Sequence, residues 1–312
     1  MELALLLAKQ IVVMMLMLLV GFAARRAGFL PAGAGKAFSA LVLYVLCPAI
    51  LLSAFHMEFS MQKLGGLFVC AVAACVAFVF FWGLSHLSAR LFSLHPIDRM
   101  SLIYPNSGNL IIPLVAAVLG SEFIFYSSAY LAVMNVYSWV HADRVIGEKP
   151  DIHIRKILLN PNIVVIAIGL LLFVSGFPLP QILWNTAGKV GDCIGPVSMM
   201  TIGVLMSEND LKKVFANKKT YLISFLRLVI FPLLFILLIC AVDPEKFFPG
   251  AGRVLIATVL AASAPTAVFV SQFAALYGKD TGDATAANVL STLLCVLTMP
   301  VMILIYQTLY MS

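Results

Sequence analysis

Charge is scarce in this chain. Asp, Glu, Lys and Arg make up 11% of its 312 residues, where a soluble domain carries about 25%. Hydrophobic residues account for 62% and the mean hydropathy is +1.05. A soluble core-and-shell protein is excluded, and a polytopic membrane protein is expected. Carboxylates are missing where they would matter most. Glu58, Glu122, Asp143, Asp192 and Glu208 all lie near the ends of apolar runs. A deep carboxylate is the usual mark of proton or sodium coupling within a membrane. Paired aspartates, a His-metal cluster and a Ser/His dyad are also missing at depth, so an intramembrane enzyme is not expected. There is no GxxxxGK[ST] loop, and hence no sign of ATP use. No metal or cofactor is expected. The six cysteines include no CxxC pair and fall in or beside apolar runs, which reads as buried free thiols. The net charge of +6 does not point to nucleic acid, because membrane proteins keep Lys and Arg in their cytoplasmic loops.

What is present is long apolar runs. A membrane span needs about 20 residues. Ten runs qualify, at roughly 3–23, 37–55, 64–88, 99–120, 123–142, 158–176, 182–206, 219–241, 251–277 and 283–309. The first is too long for a signal-peptide core, and Arg25-Arg26 follows it rather than preceding it, so it reads as a retained span. Alternate loops share the basic residues unequally. One side holds fourteen, among them Arg25, Arg26, Arg99 and Lys218; the other holds four, Lys63, Lys189, Lys246 and Arg253. The richer side should be cytoplasmic, with both termini outside the cell membrane.

The chain also repeats itself. Gly28-Phe29 recurs as Gly176-Phe177, and Pro48 as Pro196, each 148 positions on. Glu58 is matched by Glu208 at 150, and Pro113 by Pro265 at 152. Five spans per half is an odd number, so the second half must enter the membrane inverted. The expected fold is all-α, with ten transmembrane helices in two inverted five-helix repeats. Residues 1–147 form the first repeat, 148–157 a cytoplasmic linker and 158–312 the second repeat.

Two runs are interrupted alike. The fourth contains Tyr104-Pro105-Asn106-Ser107-Gly108-Asn109-Leu110-Ile111-Ile112-Pro113, and the ninth contains Ala262-Ser263-Ala264-Pro265-Thr266-Ala267. Proline frees backbone groups, and freed groups cannot face lipid. Paired broken helices in two related halves point to the binding site of a secondary transporter. Candidate substrate contacts are Asn106, Ser107, Gly108 and Asn109 in the first break. Thr266, Ser271 and Gln272 form the matching set. Freed amides and half-helix N-termini suit an anion. Kink satisfaction competes with that reading, and a helical Ser or Thr often bonds only its own preceding turn. Pro113 and Pro265 should mark the crossing of the two helices. Asn135 and Asn288 read as helix-to-helix bonds first and ligand contacts second. Arg227, two turns into the eighth span, either snorkels to the cytoplasm or works at depth. His141 and Asp143 read as an interface pair.

These residues resemble the auxin efflux carrier family. Pro105-Asn106 followed by Pro113 is similar to its broken fourth helix, and Leu43-Tyr44-Val45-Leu46-Cys47-Pro48-Ala49 to its second. Asn160-Pro161-Asn162-Ile163 and Gly176-Phe177-Pro178-Leu179-Pro180 resemble the ends of its sixth. Val133-Met134-Asn135-Val136-Tyr137 and Arg227-Leu228-Val229-Ile230-Phe231-Pro232 also fit. The short polar connection between the halves resembles compact prokaryotic members. Val270 stands where the plant proteins have a second proline.

The resemblance implies the architecture of sodium/proton antiporters and bile-acid symporters. Spans 1, 2, 6 and 7 would form a scaffold and homodimer interface, and spans 3–5 and 8–10 a mobile transport domain. It implies elevator-like transport of a small carboxylate such as malonate, malate or auxin, with Asn106 on the substrate carboxylate. The partners are then that anion, a second copy and the lipid bilayer. The alternatives are a sodium-coupled organic-anion symporter of the bile-acid type and an anion-binding membrane receptor that does not transport.

Overall fold

The computed structural model describes residues 2–146, 154–276 and 281–311. Among them there is no β-strand. Helix occupies each of the ten apolar runs. The first half contains α1 (Glu2–Arg26), α2 (Ala34–Ala54), α3 (Met61–Phe92), α4 (Pro96–Ile103), α5 (Ser107–Val118) and α6 (Ser121–Ile146). After the short α7 (Ile154–Leu158) come α8 (Pro161–Ser175), α9 (Gln181–Ser207), the short α10 (Leu211–Ala216) and α11 (Lys218–Lys246). The chain ends with α12 (Ala251–Ala262), α13 (Phe269–Leu276) and α14 (Gly282–Tyr310). Six of these, α1, α2, α3, α9, α11 and α14, are long and apolar enough to cross a membrane. This is an all-helical, multi-pass membrane protein. The linker expected at 148–157 lies mostly outside the described residues, as does the side chain of Asp143.

Local chemistry sets the helix ends. Asn160 accepts from the amides of Asn162 and Ile163 at 3.0 and 3.4 Å, and Pro161 starts α8 without needing an amide partner. Gly176, at φ 63°, ends it in the left-handed conformation. Three helices share another device. The helix widens to a π-turn at Val42–Leu46, Ser107–Ile111 and Leu226–Ile230, and a proline follows two residues later: Pro48, Pro113 and Pro232. A proline ring crowds the carbonyl one turn back, and the wider turn makes room for it. Hence Pro113 widens the start of α5 and is not itself the break.

Glycines set the closest helix contacts. A Cβ on Gly21 would stand 2.2 Å from the Met200 carbonyl oxygen, and one on Gly203 1.9 Å from that of Leu18. The backbones of α1 and α9 therefore touch, as small residues allow within a membrane. A Cβ on Gly191 would stand 2.7 Å from the Ile50 Cα, joining α9 to α2, and Gly169 receives the Phe55 ring, joining α8 to α2. Elsewhere α3, α6 and α12 pack together, as do α11 and α14. All six cysteines are free. Cys47, Cys70 and Cys295 are buried, Cys240 is partly buried, and Cys75 and Cys193 are exposed.

Ion pairs gather at the α4 end of the bundle. Asp98 in the first turn of α4 is 1% exposed and accepts the His95 amide at 2.8 Å. Lys219 pairs with it and with Asp283, so the starts of α4, α11 and α14 share one charge cluster.

Candidate functional site

The site is built where α4 and α12 stop. Pro105 forces Tyr104 into extended backbone, at φ −98° and ψ 115°, and α4 ends there. α12 ends at Ala262, three residues before Pro265. The two extended pieces lie antiparallel, with Pro105 opposite Thr266. The Asn106 amide donates to the Pro265 carbonyl at 2.8 Å, and the Ala267 amide donates to the Tyr104 carbonyl at 3.0 Å. Each break thus supplies the backbone partners that the other lost, which a lipid surrounding demands. The register corrects one expectation. Pro265 is at the crossing, but Pro113 lies well past it on α5, and Pro105 is the proline facing the other break.

The rest of the second break is tied down. The Thr266 amide donates to Ser291 Oγ at 3.1 Å, and its carbonyl accepts from Asn288 Nδ2. Its hydroxyl donates to the Ser101 carbonyl at 3.0 Å. Thr266 and Asn288, placed on sequence among substrate contacts, are brought to the crossing but spend their polar groups on its structure. Thr266→Val should therefore cost stability of about 1–2 kcal/mol, since it strands a buried carbonyl. Substrate affinity should stay within about threefold, below the roughly tenfold that 1.4 kcal/mol of lost contact would give. Thermal midpoints and uptake KM would check this, and a large KM rise would return the hydroxyl to the ligand.

The first break keeps free donors. Asn106 and Ser107 are 3% and 2% exposed, yet among the described residues Asn106 Nδ2 and Ser107 Oγ have no hydrogen-bond partner. Gly108 and Asn109 are half-buried, in the first turn of α5, where amides have no acceptor within their own helix. A Cβ on Gly108 would meet nothing within 4 Å, so open space adjoins this turn. The π-turn of α5 packs against α9 and the π-turn of α2. Further along α5, Pro113 and Ala116 form one wall of a cavity of about 210 Å³, with Gln10, Met14, Ile50 and Asp192 from α1, α2 and α9 on the others.

Three sequence candidates lie apart from this cluster or turn away from it. Asn135 bonds the Leu131 carbonyl and receives Asn160 Nδ2 at 3.4 Å, joining α6 to the start of α8. Ser271 donates to the Val268 carbonyl just ahead of its own helix, and Gln272 is exposed.

Arg227 does not snorkel. It is 0% exposed and points into the crossing. Its Nε donates to the Ala264 carbonyl at 3.0 Å and its Nη1 to the Leu102 carbonyl at 3.2 Å, with the guanidinium 5.4 Å from the Phe81 ring centre. Tyr104 was not anticipated. Its hydroxyl bonds His141 Nδ1 at 2.9 Å, so His141 faces the crossing helix rather than the membrane interface. Ser291 was also missed, although its spacing from Asn288 puts the two on one helix face.

A search of curated proteins gives no match. The family model described as "Membrane transport protein", the auxin efflux carrier domain, matches residues 6–151 and 150–303. With both halves of the chain covered, the protein belongs to the auxin efflux carrier family of membrane transport proteins.

Proposed function

We propose that the protein is a secondary transporter of small organic carboxylates, and that the anion binds at the first break. The observation that carries this is the pair of buried donors without partners, Asn106 Nδ2 and Ser107 Oγ, beside the opening turn of α5. An ionised carboxylate only accepts hydrogen bonds, and a helix start favours negative charge. In this reading Asn106, Ser107, Gly108 and Asn109 hold the substrate. Thr266, Asn288 and Pro265 hold the crossing, and Asn135, Ser271 and Gln272 have structural or surface roles.

The ten apolar helical segments then cross the cell membrane as two inverted repeats, 1–147 and 158–312, with both termini outside. The helix pairs α1–α9, α2–α9 and α2–α8 would form a scaffold, and the rest an elevator domain whose α5 turn slides along α2 and α9. A homodimer through the scaffold fits the exposed apolar side chains of α2 and α8, such as Tyr44 and Leu171.

The test is uptake of labelled malonate, malate, lactate and indole-3-acetate into proteoliposomes. Saturable flux of at least one acid is expected. Saturable binding without flux, in vesicles with verified insertion, would replace the transporter with a receptor.

A further inference from the structure

Arg227 is the one buried cation at the crossing among the described residues, and its partners are unusual. Neither is a carboxylate. Both are backbone carbonyls at helix ends: Leu102 in the last turn of α4, and Ala264 just beyond α12. Each helix carries a partial negative charge of roughly half an electron at its C-terminus. Two such ends, one from each half of the chain, meet at a single guanidinium. Their carbonyls are also the groups that a broken helix leaves without an amide. A guanidinium is a planar fork, which can serve two carbonyls from different helices at once.

An arginine buried at this depth is costly unless it has work to do. Its location is set by α11, where residues 226–230 form the π-turn that precedes Pro232. The wide turn carries Arg227 inward. One residue beyond Ala264 is Pro265, whose carbonyl takes the Asn106 amide. The charge is thus linked through two hydrogen bonds and one peptide unit to the first break.

We propose that Arg227 is the built-in cation of the crossing, standing where converging helix C-termini in a broken-helix carrier would otherwise bind a free cation. It is a positioning residue. It neutralises the two helix ends and so holds Asn106 and the α5 turn at the spacing that binds an anion. The role in binding rests on the transport reading given above. The role as resident cation does not.

The experiment separates the two. Wild type and Arg227→Ala would be purified in detergent, and their thermal midpoints measured at equal ionic strength with choline, sodium or guanidinium chloride at about 20 mM. The variant should melt lower by about 5 °C or more and recover selectively with guanidinium, while wild type stays unchanged. In vesicles, carboxylate uptake by the variant should fall at least tenfold and rise again with guanidinium. No drop in midpoint, or a drop that guanidinium does not reverse, would overturn the proposal. Reversal of the midpoint without any flux from wild type would keep the resident cation and remove the transport reading. Should the alanine variant not fold, Arg227→Lys is compared with Arg227→Gln. A higher midpoint for lysine supports a charge-based role, and equal midpoints overturn it.

Discussion

Uptake by Asn106→Ala is expected to fall between about 10-fold and 100-fold in kcat/KM, with no loss of thermal stability. The side-chain amide is buried and without a partner among the described residues, so removing it breaks no protein hydrogen bond. The backbone bond from residue 106 to Pro265 survives, because alanine keeps the amide. On the proposed reading, what is lost is a donor to a charged ligand, worth about 1.5–3 kcal/mol, or one to two powers of ten in rate. Proteoliposome uptake beside a melting curve reads both quantities. Unchanged uptake removes Asn106 from the binding site. Lost uptake accompanied by a lowered midpoint makes it a fold residue.

Gly203→Val should be the most destabilising change outside the crossing. Even the first carbon of a side chain would fall 1.9 Å from the Leu18 oxygen and 2.8 Å from the Phe22 nitrogen. These are backbone atoms, so α1 and α9 must separate along their length. Overpacking of this kind costs about 3 kcal/mol or more when no side chain can turn aside. Gly188→Ala, on the same helix, is the control: its added carbon meets nothing within 4 Å. It should leave the midpoint level or slightly raised, as alanine is the better helix former. If the two variants melt alike, the contact between α1 and α9 is not close in the membrane.

The broken helices were legible from residue types alone, because proline followed by asparagine and glycine has few other uses inside an apolar run. The register of the crossing was not. Pro113 and Pro265 both looked like crossing prolines, and they recur at nearly the spacing of the other landmarks. Yet a proline can be absorbed by widening the turn ahead of it, as happens from Ser107 to Ile111, and the break then falls before that turn. Which solution is taken depends on the neighbouring helices. Thr266 read as the counterpart of Asn106 for a similar reason. Residue type shows that a polar group is present, but not whether Ser291 and Asn288 have already engaged it. The direction of Arg227 was hidden too, since its depth along α11 suited both the interface and the core. The glycine contacts of α1 and α9 gave no warning at all: a glycine in an apolar helix does not name its partner.

The paired breaks also constrain how the molecule can move. Each half of the chain contributes one extended piece to that bridge, and the two pieces are joined by two backbone hydrogen bonds. A motion that rocked one half against the other would have to part Asn106 from Pro265 and Tyr104 from Ala267, leaving four buried backbone groups without their partners. The halves are therefore fastened at their middle like the blades of scissors fused at the pivot. In the transport reading proposed above, a change of access would then divide the molecule along a different seam, one that runs across both repeats and leaves the crossing whole.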